Sequence, residues 1–201
     1  MSKNYNENIF FYNSINDMTN IAIGQSRDLK NDFNIFAKGY HYIASTSIDN
    51  LLNTTSISDY KFYPCFYLYR HSLELYLKSI IYNTKALRTL ENCNLKIDDF
   101  YNNHNLSSLS KISIKILNSL FPEQINDLIN KLQKITTEFD YIDKSSLAFR
   151  YPINKNGEPS TPVRIINATS FSNFMNELLN ELDDVIFGLN METDIRIEQT
   201  L

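Results

Sequence analysis

Four side chains that can bind anions or move protons, Arg70, His71, Glu74 and Lys78, follow one another at helical spacing. On a helix they lie on one polar stripe, together with Tyr67, because residues three and four apart are neighbours on its surface. Arginine and lysine can hold a phosphate or carboxylate group while the glutamate positions them. The alternative is a solvated ionic face, in which each pair contributes only ~0.2–0.5 kcal/mol.

The helix that carries this stripe is predicted over residues 60–84 and has a strongly apolar second face. Such a helix belongs near the centre of a fold, where a polar stripe would be at least partly buried and would need partners. We therefore expect Glu74 to be bonded to Arg70, His71 or Lys78.

Two further candidates, His104 and Arg150, stand in predicted connections. His104 precedes a predicted helix at Asn105-Leu106, where it either caps or packs, or acts in acid–base chemistry. Arg150 lies between Phe149 and Tyr151, and Pro152 biases Tyr151 towards an extended backbone. An arginine between two aromatic rings is either a structural strut or a ligand for an anion. We predict that Arg150 approaches Glu74 or His71 and that Tyr151 belongs to the same binding site.

Composition narrows the classes of function. The net charge of −4 is not that of a strongly basic nucleic-acid-binding chain, although a local basic cluster is compatible with it. The three histidines and two cysteines form no metal-ligand spacing, and we expect neither a metal nor a cofactor. Gly-rich phosphate loops and nucleophile elbows are absent. With no signal peptide and no apolar run of membrane-spanning length, we expect a soluble, cytoplasmic protein.

Periodicity places these residues in one all-α domain over residues 30–189, between an N-terminal arm of residues 1–29 and a tail of residues 190–201. Scarce glycine and proline favour long helices with few connections. Residues 85–104 are predicted to be a connection, and a small β-hairpin or irregular insertion is expected before the last helix, at the Asn154–Gly157 turn and residues 163–166. Asn105 is the predicted cap of the third helix, and Thr169 or Ser170 that of the last. The fold class is an up-and-down bundle of about five helices, at 30–53, 60–84, 106–120, 122–138 and 170–189.

Three segments, in this order, resemble the HEPN superfamily of helical domains. They are the central-helix sequence of residues 69–78 with its Glu and Leu-Lys pairing, the His104-x-Leu106 helix entry, and the Arg150-Tyr151-Pro152 sequence before the closing helix. Together they cover residues 60–190. The resemblance implies a helical bundle that is commonly dimeric, in proteins of toxin–antitoxin, abortive-infection or CRISPR-type defence. Many such proteins are metal-independent ribonucleases; others bind nucleotides or accompany a nucleotidyltransferase.

The nuclease members carry an arginine followed four to six residues later by a histidine, and this chain lacks that spacing, since Arg70 is adjacent to His71. Binding of RNA or a nucleotide is therefore favoured over cleavage. If cleavage occurs, His71 or His104 would move the proton of a ribose 2′-hydroxyl and Arg70 would stabilise the phosphorane, with Glu74, Lys78, Arg150 and Tyr151 binding the substrate. Expected partners are RNA or a nucleotide, a second copy of the chain, and a cognate antitoxin or defence protein. The alternative is a non-catalytic interaction module, such as a partner subunit, in which the same groups are internal struts.

Overall fold

The computed structural model describes residues 29–54, 59–85, 100–122, 125–143, 146–161 and 164–198 of the 201-residue chain. Within these residues there are five α-helices and no strand, which confirms the all-α bundle. Consecutive helices pack against one another, and the fifth returns to the first and second. Residues 1–28 of the predicted arm (residues 1–29) and most of the predicted 85–104 connection lie outside the described residues. The helices are α1 (Leu29–Leu52), α2 (Phe62–Lys85), α3 (Leu106–Leu120), α4 (Asn126–Asp143) and α5 (Ala168–Glu198).

Helix α2 is the centre of the bundle, as its apolar sequence predicts. It packs against α1, α3 and α5, and a 3-10 turn at Asp59–Lys61 leads into it. Pro64 stands in its first turn, where the missing N–H is not needed. Apolar side chains are buried on several sides of the helix rather than on one face, so its polar residues have little access to water. The buried apolar residues of α2 are Phe62, Cys65, Phe66, Tyr69, Leu73, Tyr76, Leu77, Ile80 and Ile81.

Asn105 caps helix α3, as predicted. Its backbone is extended, and its side-chain oxygen accepts a hydrogen bond of 2.8 Å from the backbone N–H of Ser108. Helix α4 begins at Asn126 and ends at Asp143, four to five residues later at each end than predicted from the 122–138 periodicity. This later end brings Asp143, which is 2% exposed, into the core beside α2.

Helix α5 is longer than the 170–189 periodicity predicts and runs from Ala168 to Glu198, so most of the predicted tail is helical. The predicted caps Thr169 and Ser170 are already inside the helix. The cap is Asn167, whose side-chain oxygen accepts a hydrogen bond of 2.8 Å from the backbone N–H of Ser170. The side chain of Leu189 is fully buried, which ties the helix to the core beyond the predicted polar boundary.

The segment before α5 is irregular, and the predicted β-hairpin is wrong for the described residues. The Asn154–Gly157 turn is present, with Gly157 at φ 79°, but it closes only an isolated bridge between Ile153 and Pro159. Pro152 and Pro159 have no backbone N–H to donate, so a regular ladder cannot extend from this turn. Residues 164–166, the described part of the strand predicted at residues 163–166, are not in a strand.

Candidate functional site

The polar stripe of α2 is buried. Arg70 and Glu74 are each 1% exposed and Lys78 is 4% exposed. The solvated ionic face considered from the sequence is therefore wrong, and the prediction that Glu74 bonds to a basic partner is confirmed. Burial follows from the central position of α2, because the neighbouring helices and two loops cover the stripe. A buried charge is tolerated only when it is paired and hydrogen-bonded.

Glu74 is the acceptor at the middle of this buried cluster. One carboxylate oxygen, Oε1, lies 3.0 Å from Lys78 Nζ and 2.8 Å from His104 Nδ1, and the other, Oε2, lies 3.4 Å from Arg70 Nη1. Burial alone would raise the pKa of Glu74, but the charge and hydrogen bonds of Lys78 and His104 outweigh it and leave the pKa below its ordinary value. Glu74 is thereby held as an ionised carboxylate.

Arg70 joins two loops through one guanidinium group. Its Nη2 donates to the backbone carbonyl of His104 at 3.1 Å, and its Nη1 donates to the hydroxyl of Ser146 at 2.9 Å. Its Nε lies 3.2 Å from Asp143 Oδ2, within ion-pair distance but without hydrogen-bond alignment. The loop entering α3 and the loop leaving α4 are thus held by the same side chain.

Asp143 is the functional-site residue that the sequence reasoning missed. Its Oδ1 accepts a hydrogen bond of 2.8 Å from the backbone N–H of Ala148, so the carboxylate also fixes the turn that follows α4. Burial raises the pKa of Asp143 above its ordinary value. The hydrogen bond from the Ala148 N–H and the charge of Arg70 lower the pKa but do not outweigh the burial. The need for a second carboxylate could have been inferred from the stripe itself, because it holds two cations, Arg70 and Lys78, beside the single carboxylate of Glu74.

Ser146 has the left-handed backbone conformation in this turn. Its φ of 62° is the left-handed region, which a residue with a side chain adopts at a cost in conformational energy. The turn is held by the hydrogen bond from Ser146 N–H to the Asp143 carbonyl and by the hydroxyl contact with Arg70. This conformation places the following residues, including Arg150, over helix α2.

His104 is the exposed member of the cluster. Its side chain is 64% exposed, while its Nδ1 is engaged with the buried Glu74. An ionised carboxylate can only accept, so Nδ1 carries the hydrogen and donates it, which leaves Nε2 as the ring nitrogen able to accept a proton. The next residue, Asn105, caps α3, and this fixes the backbone of His104. The arrangement is that of a general base oriented by a third group.

His71 has a different environment from His104. Its ring lies edge-on to Tyr40 with centroids 4.5 Å apart and is stacked on Tyr67 at 5.7 Å. Desolvation by this burial lowers the pKa of His71, although the charge of Glu74 opposes the effect. His71 is therefore a neutral ring packed between two aromatic side chains.

Arg150 is exposed and lies over the stripe at Tyr67. Its guanidinium carbon is 5.3 Å from the centroid of Tyr67 and 5.6 Å from that of Tyr151, and its Nε donates to the Ser146 carbonyl at 2.7 Å. Arg150 contacts Tyr67, the residue stacked on His71, and within the described residues it forms no hydrogen bond or ion pair with Glu74 or His71. The exposure of Arg150 does not fit a buried strut.

No group of three or more His, Cys, Asp or Glu side chains that could hold a metal ion occurs among the described residues. None of the helices in that part of the chain combines the length and the apolar character needed to cross a membrane.

Comparison of the chain with protein-family models, with curated proteins and with solved structures finds no match in any of the three. The bundle is thus established by the structure alone, and the resemblance of the three motifs to HEPN domains stays a prediction. What the structure adds is that it places residues of these motifs in one connected cluster: Arg70, Glu74 and Lys78 from the first, His104 from the second, and Arg150 from the third, next to Ser146.

Proposed function

We propose that this chain is a HEPN-like protein of a defence or toxin–antitoxin system that binds RNA or a nucleotide. The binding surface consists of His104, Arg150 and Tyr151, and is called the His104–Arg150 surface below. Binding is the primary activity, and metal-independent cleavage of RNA at the same surface is the chemistry that the His104–Glu74 pair supports.

The observation that carries this proposal is the position of the Arg70 guanidinium. It donates to the backbone of His104 and to Ser146, the residue whose carbonyl accepts from Arg150. One buried side chain therefore holds two exposed basic residues of different loops on the same side of α2. Sites of this kind place the contacting groups on the surface and hold them rigidly from behind.

Arg150 has the properties of a phosphate ligand. It forms no ion pair with a carboxylate within the described residues, and its guanidinium presents several N–H donors in a fixed fork. Tyr151 beside it is 53% exposed and offers a ring on which a nucleobase can stack. An exposed cation stacked between aromatic rings is a common element of single-strand recognition.

The buried residues of the stripe have positioning roles in this proposal. Arg70, Glu74 and Lys78 do not contact the ligand, because their charges are taken up by one another, by Asp143 and by backbone carbonyls. Lys78, for example, donates to the carbonyl of Tyr101 at 3.0 Å and so holds the loop that leads to His104. His71 supports Tyr67 beneath Arg150.

Cleavage would proceed without a metal. His104 Nε2 accepts the proton of a ribose 2′-hydroxyl, the 2′-oxygen attacks the adjacent phosphorus, and the bond to the 5′-oxygen of the next nucleotide breaks as that oxygen takes a proton from water. The imidazolium then returns its proton to the solvent. Glu74 stabilises the imidazolium that forms, and Arg150 stabilises the charge that develops on the phosphate oxygens. The products are a 2′,3′-cyclic phosphate and a 5′-hydroxyl end.

A second candidate function is a non-catalytic interaction module in which the cluster is purely structural. The observation that favours it is the burial and mutual pairing of Arg70, Glu74 and Lys78. The two candidates differ in what they require of the exposed residues, because a structural cluster does not need Arg150 or His104 to contact a ligand.

Replacing Arg150 with alanine is expected to weaken binding of a fluorescein-labelled single-stranded RNA at least tenfold, because a charge-assisted contact to phosphate is lost. The slope of log affinity against log salt concentration should fall in magnitude by about 0.7, the loss expected for one phosphate contact on a single strand. Fluorescence anisotropy at several salt concentrations measures both. Since Arg150 is exposed, the melting temperature should fall by only a few degrees.

The matched control is Lys155→Ala, which removes one positive charge from an exposed position in the same irregular segment. It should leave the affinity within about twofold of the wild type. Equal binding by wild type and Arg150→Ala, in a well-folded protein, would overturn the assignment of this surface and leave the interaction module as the better explanation.

We also propose that the functional unit is a dimer. Large apolar side chains are exposed on α1 and α5, which pack against each other: Ile35, Phe36, Tyr42, Ile43, Phe187, Met191 and Ile195. Exposed apolar surface of this kind marks an interaction site. Light scattering at micromolar concentration should give about twice the 23.5 kDa mass of one chain, and Ile43→Glu should return it to the monomer mass. A monomer mass for the wild type contradicts the proposal.

A further inference from the structure

Two clefts of about 410 Å³ and 540 Å³ are both lined by residues 164–167, the segment that leads into α5. Both volumes lie in the range of small-molecule sites, which is roughly 300–1,000 Å³. The two clefts share Phe66, Ile142, Phe149 and Arg164 in their walls. Neither is lined by His104, Glu74 or Arg150, so they are separate from the surface proposed above.

The floor of the 410 Å³ cleft is aromatic. Phe66 lies edge-on to Phe171 with centroids 4.9 Å apart, and Phe139 lies edge-on to both Phe149 and Phe171 at 6.4 Å and 6.2 Å. Phe174 forms a further part of the wall. Rings arranged in this way present apolar faces and edges on which a planar ring stacks favourably.

The mouth of the same cleft carries two cations, Lys134 and Arg164. Lys134 Nζ lies 5.5 Å from the centroid of the Phe174 ring, and the guanidinium carbon of Arg164 lies 4.9 Å from that of Tyr141. Arg164 also donates to the Tyr141 hydroxyl, which fixes its position on α4. Both cations are thus held against aromatic rings at the entrance to an apolar space.

Neither of these cations forms an ion pair with a carboxylate in the part of the chain that the structure describes. Lys131, one turn earlier on α4, shows the contrast, since its Nζ lies within 2.7 Å of Asp127, Glu177 and Glu181. Glu138 is the single carboxylate in the cleft lining. The mouth therefore carries one more positive than negative charge, and it complements an anion.

We propose that this cleft binds a small organic anion with a planar apolar body, such as an aromatic carboxylate or sulfonate. The ring system would lie on the phenylalanine floor, and the anionic group would be held by Arg164 with Lys134. Arg164 is the principal anion ligand, because its guanidinium is fixed on Tyr141 and retains unpaired N–H donors within the described structure. Glu138 weakens the site by repulsion. This inference does not depend on RNA binding.

Titration with 8-anilinonaphthalene-1-sulfonate tests the proposal, with neutral N-phenyl-1-naphthylamine as the matched probe that lacks the anionic group. The wild type should bind the sulfonate saturably, at one molecule per chain, with a rise in probe fluorescence. Arg164→Ala should weaken sulfonate binding about tenfold and leave the neutral probe within twofold. Glu138→Gln should tighten sulfonate binding, and Lys111→Ala, which removes a charge from the exposed surface of α3, should change neither probe.

Ser170→Trp provides a variant that occupies the cleft without disturbing the core, because Ser170 is an exposed residue of its lining. It should abolish saturable binding of both probes while circular dichroism shows an unchanged fold. The proposal is overturned if Arg164→Ala weakens both probes equally or neither, or if Ser170→Trp leaves both affinities unchanged. RNA binding by the same variants should stay at the wild-type level, which separates this site from the His104–Arg150 surface.

Discussion

Replacing Arg70 with alanine is expected to lower the free energy of unfolding by about 3–5 kcal/mol, the usual penalty for removing one partner of a buried ion pair. The change leaves Asp143, which is 2% exposed, without its countercharge, and it removes the hydrogen bonds to Ser146 and to the His104 carbonyl. Urea denaturation at pH 7 measures the loss. A marginally stable domain would be largely unfolded by a change of this size.

Lys38→Ala is the control, because the ion pair of Lys38 with Asp183 is partly exposed and its loss should cost less than about 1 kcal/mol. The double variant Arg70→Ala, Asp143→Asn should recover part of the lost stability, since the orphaned charge is then gone. Strict additivity of the two single changes, or an Arg70→Ala variant within about 1 kcal/mol of the wild type, would contradict a coupled buried pair.

The cost of Arg70→Ala should also depend on pH. Burial raises the pKa of Asp143, and the folded state therefore binds more protons than the unfolded state between the ordinary and the raised pKa. The contribution of this carboxylate to stability falls as pH rises through that window. Without Arg70 the pKa rises further, so the deficit of the variant should shrink when urea denaturation is repeated at lower pH. The contribution of Glu74 to stability depends on pH in the opposite direction. Its pKa is lowered in the folded state, so its contribution is lost as pH falls.

The polar stripe was predictable because it is formed by residues that are close together in the sequence. Residues 70, 74 and 78 meet on one helix face through spacing alone, and the apolar character of α2 correctly predicted their burial. The cap at Asn105 was predictable for the same reason, since the hydrogen bond to Ser108 spans three residues. The apolar periodicity likewise predicted all five helices, although not all of their ends.

Contacts between distant parts of the chain were not predictable in this way. Asp143 is 73 residues from Arg70, and its role follows from where α4 ends, which the apolar periodicity placed five residues too early. The contact of Arg150 with Tyr67 depends on the left-handed backbone at Ser146, for which a serine gives no sequence signal. The aromatic cleft is similar, because it is formed by side chains of α2, α4, α5 and the connection between α4 and α5.

Apolar periodicity does not indicate which distant segments lie close together. The resemblance of three motifs to one family predicts that residues 70–78, 104–106 and 150–152 are near one another. The structure places His104 within 2.8 Å of Glu74 and Arg150 over Tyr67, so the three segments do meet around α2. Where the three segments meet, the residues fall into an exposed and a buried group. His104 and Arg150 reach the surface, and Arg70, Glu74 and Lys78 stay behind them.

His104→Ala is expected to reduce metal-independent cleavage of RNA by about 10²–10⁴-fold, the usual contribution of a general acid–base group. Because the side chain is 64% exposed, the fold should tolerate the change, although Glu74 loses one of its three donors. Gel analysis of single-stranded RNA incubated with the protein in excess EDTA measures cleavage, and end-group analysis should show 2′,3′-cyclic phosphates. His71→Ala is the matched histidine control and should keep most of the activity, since that ring is packed between Tyr40 and Tyr67.

Replacing Glu74 with glutamine distinguishes a role in positioning His104 for catalysis from a purely structural role of this side chain. The amide keeps the size of the side chain but no longer stabilises an imidazolium at His104, so the rate should fall while the affinity for RNA stays near the wild-type level. A variant that lost affinity and rate together with its circular dichroism would report only a damaged fold. If wild-type protein binds RNA in an Arg150-dependent manner and leaves it intact, the His104–Glu74 pair is not catalytic and the surface serves binding alone. Cleavage that survives His104→Ala undiminished would place the proton transfer on another residue and remove His104 from the mechanism.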